Sequence, residues 1–140
     1  MDALDVLFKA QDEGGIERRE ALEHLIRKCR ELGCQPLVSD SKEGGFKIRY
    51  GSIRYAVLDV NTKGRVYLHI KSHPNKDLPD DLSEKANEFI VSLDGVDIKN
   101  GPINCYGQVE QPIEEIPQES LDSFLEFAVD SIQTTYYRRG

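Results

Sequence analysis

The sequence predicts a single α+β domain, in which helices pack on one face of an antiparallel sheet. The chain has 140 residues, which is enough for one core and too few for two full domains. Apolar residues recur at helical spacing near both ends and in the middle of the chain, whereas residues 36–71 alternate with a period of two. Short loops rich in Gly, Asn and Pro separate these segments, giving the order α-β-β-β-α-β-β-α.

The helices are predicted from apolar spacing and from the residues at their ends. Leu4, Leu7 and Phe8 indicate a short first helix that the pair Gly14-Gly15 should end. We therefore treat residues 1–15 as an N-terminal helical extension and residues 16–140 as the domain itself. Longer amphipathic helices are expected at about residues 16–32, 79–93 and 118–136.

The strands are predicted from alternation. Phe46 and Ile48 alternate with Lys47 and Arg49, as in a strand with one buried and one wet face. A weaker strand precedes them at residues 37–40, and two stronger ones follow at residues 53–60 and 65–71. A further hairpin is expected across Asn100-Gly101, joining residues 96–99 to residues 103–111.

The charge distribution limits the choice of partners. The net charge is −7, and residues 77–130 contain 14 acidic and 2 basic side chains. Such a surface repels nucleic acid and anionic membranes. The N-terminus is acidic and no apolar run approaches the ~20 residues that cross a bilayer, so we expect no signal peptide and no membrane span. Three cysteines cannot all pair within one chain, which favours a reducing, cytoplasmic location.

No motif in the sequence predicts catalysis. His24, His69 and His73 share no metal-binding spacing with one another, and Cys29 and Cys34 are not spaced like a redox or zinc pair. Phosphate-binding glycine loops and nucleophile elbows are also missing from the sequence. We therefore expect a protein that is not an enzyme and holds no cofactor or metal.

The predicted open face of the sheet offers two alternative binding surfaces. A protein partner is favoured because apolar atoms interrupt this face, and the candidate partner-binding residues are Ala56, Leu58, Val60 and Tyr67. The alternative is a nucleic-acid-associated regulatory domain that uses the basic side chains of the same face, Lys47, Arg49, Arg54, Arg65 and Lys71, together with His69. The acidic half of the chain disfavours this alternative.

The succession of elements resembles the type III secretion chaperone-like superfamily, which includes the class I chaperones and the YbjN-type regulators. The resemblance covers about residues 16–137 and rests on element order and on two helix openings, Leu78-Pro79-Asp80-Asp81-Leu82 and Ile116-Pro117-Gln118-Glu119-Ser120-Leu121. Those chaperones are small, acidic, cytosolic and non-enzymatic. The resemblance therefore implies a protein-binding domain that holds a client or partner segment on apolar patches.

The same resemblance implies a homodimer formed through the middle helix. Its candidate interface residues are Phe89, Ile90 and Leu93. The alternative is that these side chains complete the core of the monomer. Relative to the superfamily, residues 1–15 are an addition and residues 96–111 are compact.

Overall fold

The computed structural model describes residues 1–51, 57–69, 80–99 and 106–134. Its helices are α1 (Ala3–Gly14), α2 (Ile16–Glu31), α3 (Asp80–Ser92) and α4 (Gln118–Ile132), and a short 3-10 helix, η1 (Ile113–Glu115), precedes α4. The strands are β1 (Cys34–Val38), β2 (Gly45–Tyr50), β3 (Leu58–Asn61), β4 (Val66–His69) and β5 (Tyr106–Gln108). The α+β class and the order of the elements are confirmed.

The described strands form one antiparallel sheet in the order β1-β2-β3-β4-β5. Ile48 lies opposite Leu58, and Leu58 lies opposite Leu68, so a row of apolar side chains crosses three strands on the same face. At the far edge, Ile98 pairs with Val109, and the Lys99 amide donates to the Gln108 carbonyl at 2.8 Å. The two arms of the predicted hairpin therefore meet, while its turn at Asn100-Gly101 lies outside the described residues.

The core lies between the helices and the inner face of the sheet. α2 contacts β1, η1 and α4, and α4 also contacts α3. The largest fully buried side chains come from α2, η1, α3, α4 and the central strands: Leu22, Leu25, Ile90, Ile113, Phe124, Leu125, Ile132, Phe46, Ile48, Leu58 and Leu68. Each of these helices thus buries one apolar stripe, as the helical spacing predicted.

The first helix is part of this core. Asp2 caps it, because the Asp2 carboxylate accepts from the Asp5 amide at 2.8 Å and the Asp5 carboxylate accepts from the Asp2 amide at 3.1 Å. α1 ends at Gly14, and Gly15 has φ +85°, a conformation that glycine adopts without a Cβ clash and that turns the chain back into α2. Val6 and Ala10 are fully buried beneath α1.

β1 is an edge strand, and it contains a proline. The Ser39 amide donates to the Gly45 carbonyl at 2.9 Å, and Pro36 lies opposite Ile48. Backbone groups alternate in direction along a strand, so the Pro36 nitrogen faces away from β2. Proline has no N–H to donate, and this outer position is where a sheet tolerates it.

Candidate functional site

The structure corrects the predicted partner-binding face. Leu58 is fully buried and Val60 is 3% exposed, because both point to the inner face of the sheet and into the core. Their predicted exposure is therefore wrong. Tyr67 is half-buried on the opposite, outer face, and Ala56 lies outside the described residues. The four candidates do not form one surface.

Asp59 is the residue of β3 that could have indicated which face of the strand is exposed. Asp59 separates Leu58 from Val60, so alternation along β3 directs Asp59 outward when its two neighbours point inward. The register places Asp59 opposite both Lys47 on β2 and Tyr67 on β4. The outer face therefore carries a carboxylate in the middle of its predicted basic surface.

The basic face is described only in part. Lys47 and Arg49 are half-buried and Arg65 is exposed, whereas Arg54 and Lys71 lie outside the described residues. Asp59 lowers the positive charge of the described portion. Strong phosphate binding needs several aligned cations with no carboxylate nearby. The described portion does not provide this, because Asp59 lies among its cations.

The predicted dimer interface on α3 also lies largely inside the monomer. Ile90 is fully buried and Leu93 is 8% exposed. Phe89 stacks on Phe127 of α4, with ring centroids 4.2 Å apart and planes within 6° of parallel. The predicted exposure of Ile90 and Leu93 to a partner subunit is therefore wrong, because both side chains belong to the core of the monomer.

Three of the six exposed large apolar side chains among the described residues lie on α1 or just before it. Met1 is 62% exposed, Leu4 53% and Phe8 49%, and we call these three residues the α1 stripe. Leu4 and Phe8 lie on the side of the helix away from Val6 and Ala10, because residues four apart share a face. Met1 precedes the helix, and its sulfur lies close to Gly44. α1 is therefore apolar on two opposite sides, only one of which the fold covers.

Charged groups border the α1 stripe. Helical spacing places Asp5 and Asp12 along one margin, and both carboxylates are exposed or partly exposed. On the other side, the Arg19 guanidinium lies 5.1 Å from the centroid of the Phe8 ring. Arg19 is also held by Glu23, at 3.1 Å, and by Gln11, at 3.0 Å. The open margin of the stripe is therefore acidic.

A buried arginine joins α1, α2, η1 and the β3–β4 turn. Arg18 Nε donates to both carboxylate oxygens of Glu114, at 2.9 and 3.0 Å, and Arg18 Nη1 donates to the Thr62 carbonyl at 3.1 Å. The two side chains of the ion pair are 12% and 14% exposed. A Cβ at Gly14 would lie 2.1 Å from Arg18 Nε, so the guanidinium group occupies space that only glycine leaves open.

Two further polar contacts connect α2 to α4. His24 Nε2 lies 3.1 Å from Asp122 Oδ1, and Lys28 Nζ donates to Glu126 Oε1 at 2.7 Å. Both pairs step forward by four residues, so α2 and α4 run side by side in the same direction. The hydrogen bond to Glu126 raises the pKa of Lys28 above its ordinary value, although solvent exposure keeps the energetic effect small.

A cleft of about 130 Å³ opens between α2, η1 and α4, and we call it the α2–α4 cleft. Its apolar floor consists of Ala21, Leu25, Ile113, Ile116 and Leu121. Its polar rim consists of Glu17, Glu20, Glu114, Asp122, His24 and Gln118. None of these residues was a candidate site residue in the sequence, because α2 is about ninety residues away from η1 and α4 in the chain.

Two free thiols lie in the core beneath α2. Cys29 is fully buried and Cys34 is 5% exposed. Burial raises the pKa of Cys29 to about 12 and that of Cys34 to about 11, from an ordinary value of 9.0, because the thiolate would lose its hydration. Cys29 and Cys34 are therefore core residues, and their thiols are poor nucleophiles at neutral pH.

These thiols predict a loss of stability at high pH. Above pH 9 an unfolded thiol loses its proton while the buried one keeps it, so the free energy of unfolding falls as the pH rises. At pH 10 we expect a loss of about 1 kcal/mol per thiol relative to pH 8. Urea unfolding of the wild type and of a Cys29→Ala/Cys34→Ala variant at both pH values measures this. Identical pH dependence of the two proteins would contradict the prediction.

Comparison of this chain with protein-family models, with curated proteins and with solved structures gave no match. Within the described ranges, no three or more His, Cys, Asp or Glu side chains are grouped so that they could hold a metal ion. Over the same part of the chain, no helix has both the length and the apolar character needed to cross a membrane.

Proposed function

We propose that this chain is a non-catalytic protein-binding domain that receives a segment of a partner or client protein on the α1 stripe. The observation that carries the proposal is the exposure of Leu4 and Phe8 on one side of a helix whose other side is already buried, with the exposed Met1 just before that helix. Exposed apolar side chains grouped on one face favour a binding role. The chaperone-like order of elements also supports it, and the buried free thiols favour a cytoplasmic location.

The partner segment is basic and amphipathic. Asp5 and Asp12 border the stripe, and the chain carries a net charge of −7, so basic residues flanking an apolar face complement it. A second copy of the chain would bring the same carboxylates against one another, because a twofold contact pairs each patch with itself. We therefore favour a different protein over a homodimer as the occupant of the stripe.

Selection from a displayed peptide library tests this function. Wild-type protein should enrich peptides that combine apolar residues at helical spacing with Lys or Arg. The Leu4→Glu/Phe8→Glu variant should bind the enriched peptides at least tenfold more weakly, because two carboxylates replace the apolar contact. Its melting temperature should stay close to that of the wild type, since both side chains are about half exposed.

Val91→Glu is the matched control, because Val91 is 65% exposed on α3 and lies outside the stripe. The control should bind the selected peptides as the wild type does. Three results would overturn the proposal: no enrichment, enrichment that the double variant retains, or a homodimer in sedimentation that Leu4→Glu/Phe8→Glu converts to a monomer. Salt-sensitive binding to single-stranded nucleic acid, lost in an Arg49→Glu/Arg65→Glu variant, would favour the alternative function instead.

A further inference from the structure

The α2–α4 cleft combines an apolar floor with a rim of carboxylates. The floor side chains Leu25, Ile113 and Leu121 are nearly fully buried and belong to the packed core of the domain. The rim brings together carboxylates from three elements, Glu17 and Glu20 of α2, Glu114 of η1 and Asp122 of α4. A ligand that enters this cleft meets hydrocarbon at its base and negative charge at its mouth.

The cations near the rim do not neutralise it. Arg18 is bound to Glu114, and Asp122 lies 3.1 Å from His24, which also lines the cleft. Glu17 and Glu20 form no hydrogen bond or ion pair with any residue that the structure describes. Two carboxylates at the mouth of an apolar cleft therefore have no cationic side chain as a partner among the described residues, an arrangement that favours a cation.

We propose that the α2–α4 cleft binds a primary ammonium group carried on a short aliphatic chain. The aliphatic chain would cover the floor while the ammonium stays at the rim, as the stem and head of an amphipathic cation do on protein surfaces. The size agrees, because a cavity of roughly 150 Å³ holds a molecule of about six heavy atoms and butylammonium has about five. Carboxylate ligands are excluded by like charge.

Two kinds of molecule carry this group, a free alkylamine and the lysine side chain of another protein. The four methylene groups and the ammonium group of lysine correspond to butylammonium. The inference goes beyond the proposed function, because it concerns a different surface and requires no occupant on the α1 stripe. Binding in the cleft and binding on the stripe therefore succeed or fail separately.

Titration of the ¹⁵N-labelled protein with n-butylamine hydrochloride tests the proposal. We expect saturable chemical-shift changes at the amides of Ala21, His24 and Leu121, which line the cleft, and none at Leu4 or Phe8. Butanol should bind several-fold more weakly and butyrate should not bind, because only the ammonium complements the rim. Nα-acetyl-lysine methylamide in place of butylamine separates the sources: equal binding indicates a protein side chain, and binding of butylamine alone indicates a small amine.

The variant Glu17→Gln/Glu20→Gln should raise the dissociation constant for butylammonium about three- to tenfold, since each exposed charge contributes modestly. Glu84→Gln/Glu88→Gln is the matched control, because it removes two exposed carboxylates from α3 rather than from the rim, and it should leave binding unchanged. Equal binding of butanol and butylammonium, equal loss in both variants, or shifts that do not saturate would each overturn the proposal.

Discussion

Replacing Phe124 with alanine should lower the free energy of unfolding by about 3–5 kcal/mol. Phe124 is fully buried on α4, at the centre of a core that also contains Phe46 of β2 and Leu25 of α2. The substitution removes a large apolar side chain and leaves a cavity that its close-packed neighbours fill only in part. Urea unfolding followed by far-UV circular dichroism measures the loss directly, and it suits a chain without tryptophan.

Phe8→Ala is the matched control for this variant. Phe8 is 49% exposed, so the same chemical change removes little buried area and should cost less than about 1 kcal/mol. Similar losses for the two variants would mean that α4 does not form the centre of the core. A Phe8→Ala protein that stays stable is also suitable for testing the α1 stripe, because loss of binding is then not caused by unfolding.

Replacing Arg18 with methionine should lower the free energy of unfolding by about 2–4 kcal/mol. The Glu114 carboxylate would stay partly buried without its cation, and the Thr62 carbonyl would lose a donor. The effect falls slightly below that of a fully buried pair because both side chains keep some exposure. Urea unfolding at neutral pH gives the magnitude, with Arg30→Met, at an exposed position of α2, as the control.

A double-mutant cycle shows whether the loss comes from the ion pair. Arg18→Met/Glu114→Gln should cost less than the two single substitutions added together, because removing both partners leaves no stranded charge. Additive losses would show instead that Arg18 acts through packing against Gly14 and the β3–β4 turn.

The sequence predicted the class of the fold and most of its elements because both depend on periodicity. Alternation in β2 and the helical stripe of α2 each require only local spacing. The inner and outer faces of β3 were assigned wrongly because apolar residues occupy both odd and even positions at and just before this strand. Val57 and Leu58 are both buried, and the Val57 amide donates to the carbonyl of Ile48, whose partner in the register is Leu58. Val57 and Leu58 thus meet the same residue of β2 at this end of β3, so simple alternation does not extend to Val57.

The candidate surfaces could not be read from spacing alone. Leu4, Leu7 and Phe8 predicted a helix, but the fold covers the side that carries Val6 and Ala10 and leaves Leu4 and Phe8 in solvent. Which side is covered depends on how α1 packs on α2, a tertiary contact without a local signature. The α2–α4 cleft was missed for a related reason, because its lining residues come from two groups about ninety residues apart in the chain.

The proline in β1 has a consequence for how this protein meets other chains. An incoming strand would find no donor at Pro36, so continuous lengthening of the sheet is interrupted at that edge. Amyloid-like stacking through β1 is thereby discouraged even at high concentration. A polypeptide segment that paired with β1 from outside would therefore lack one backbone hydrogen bond at Pro36.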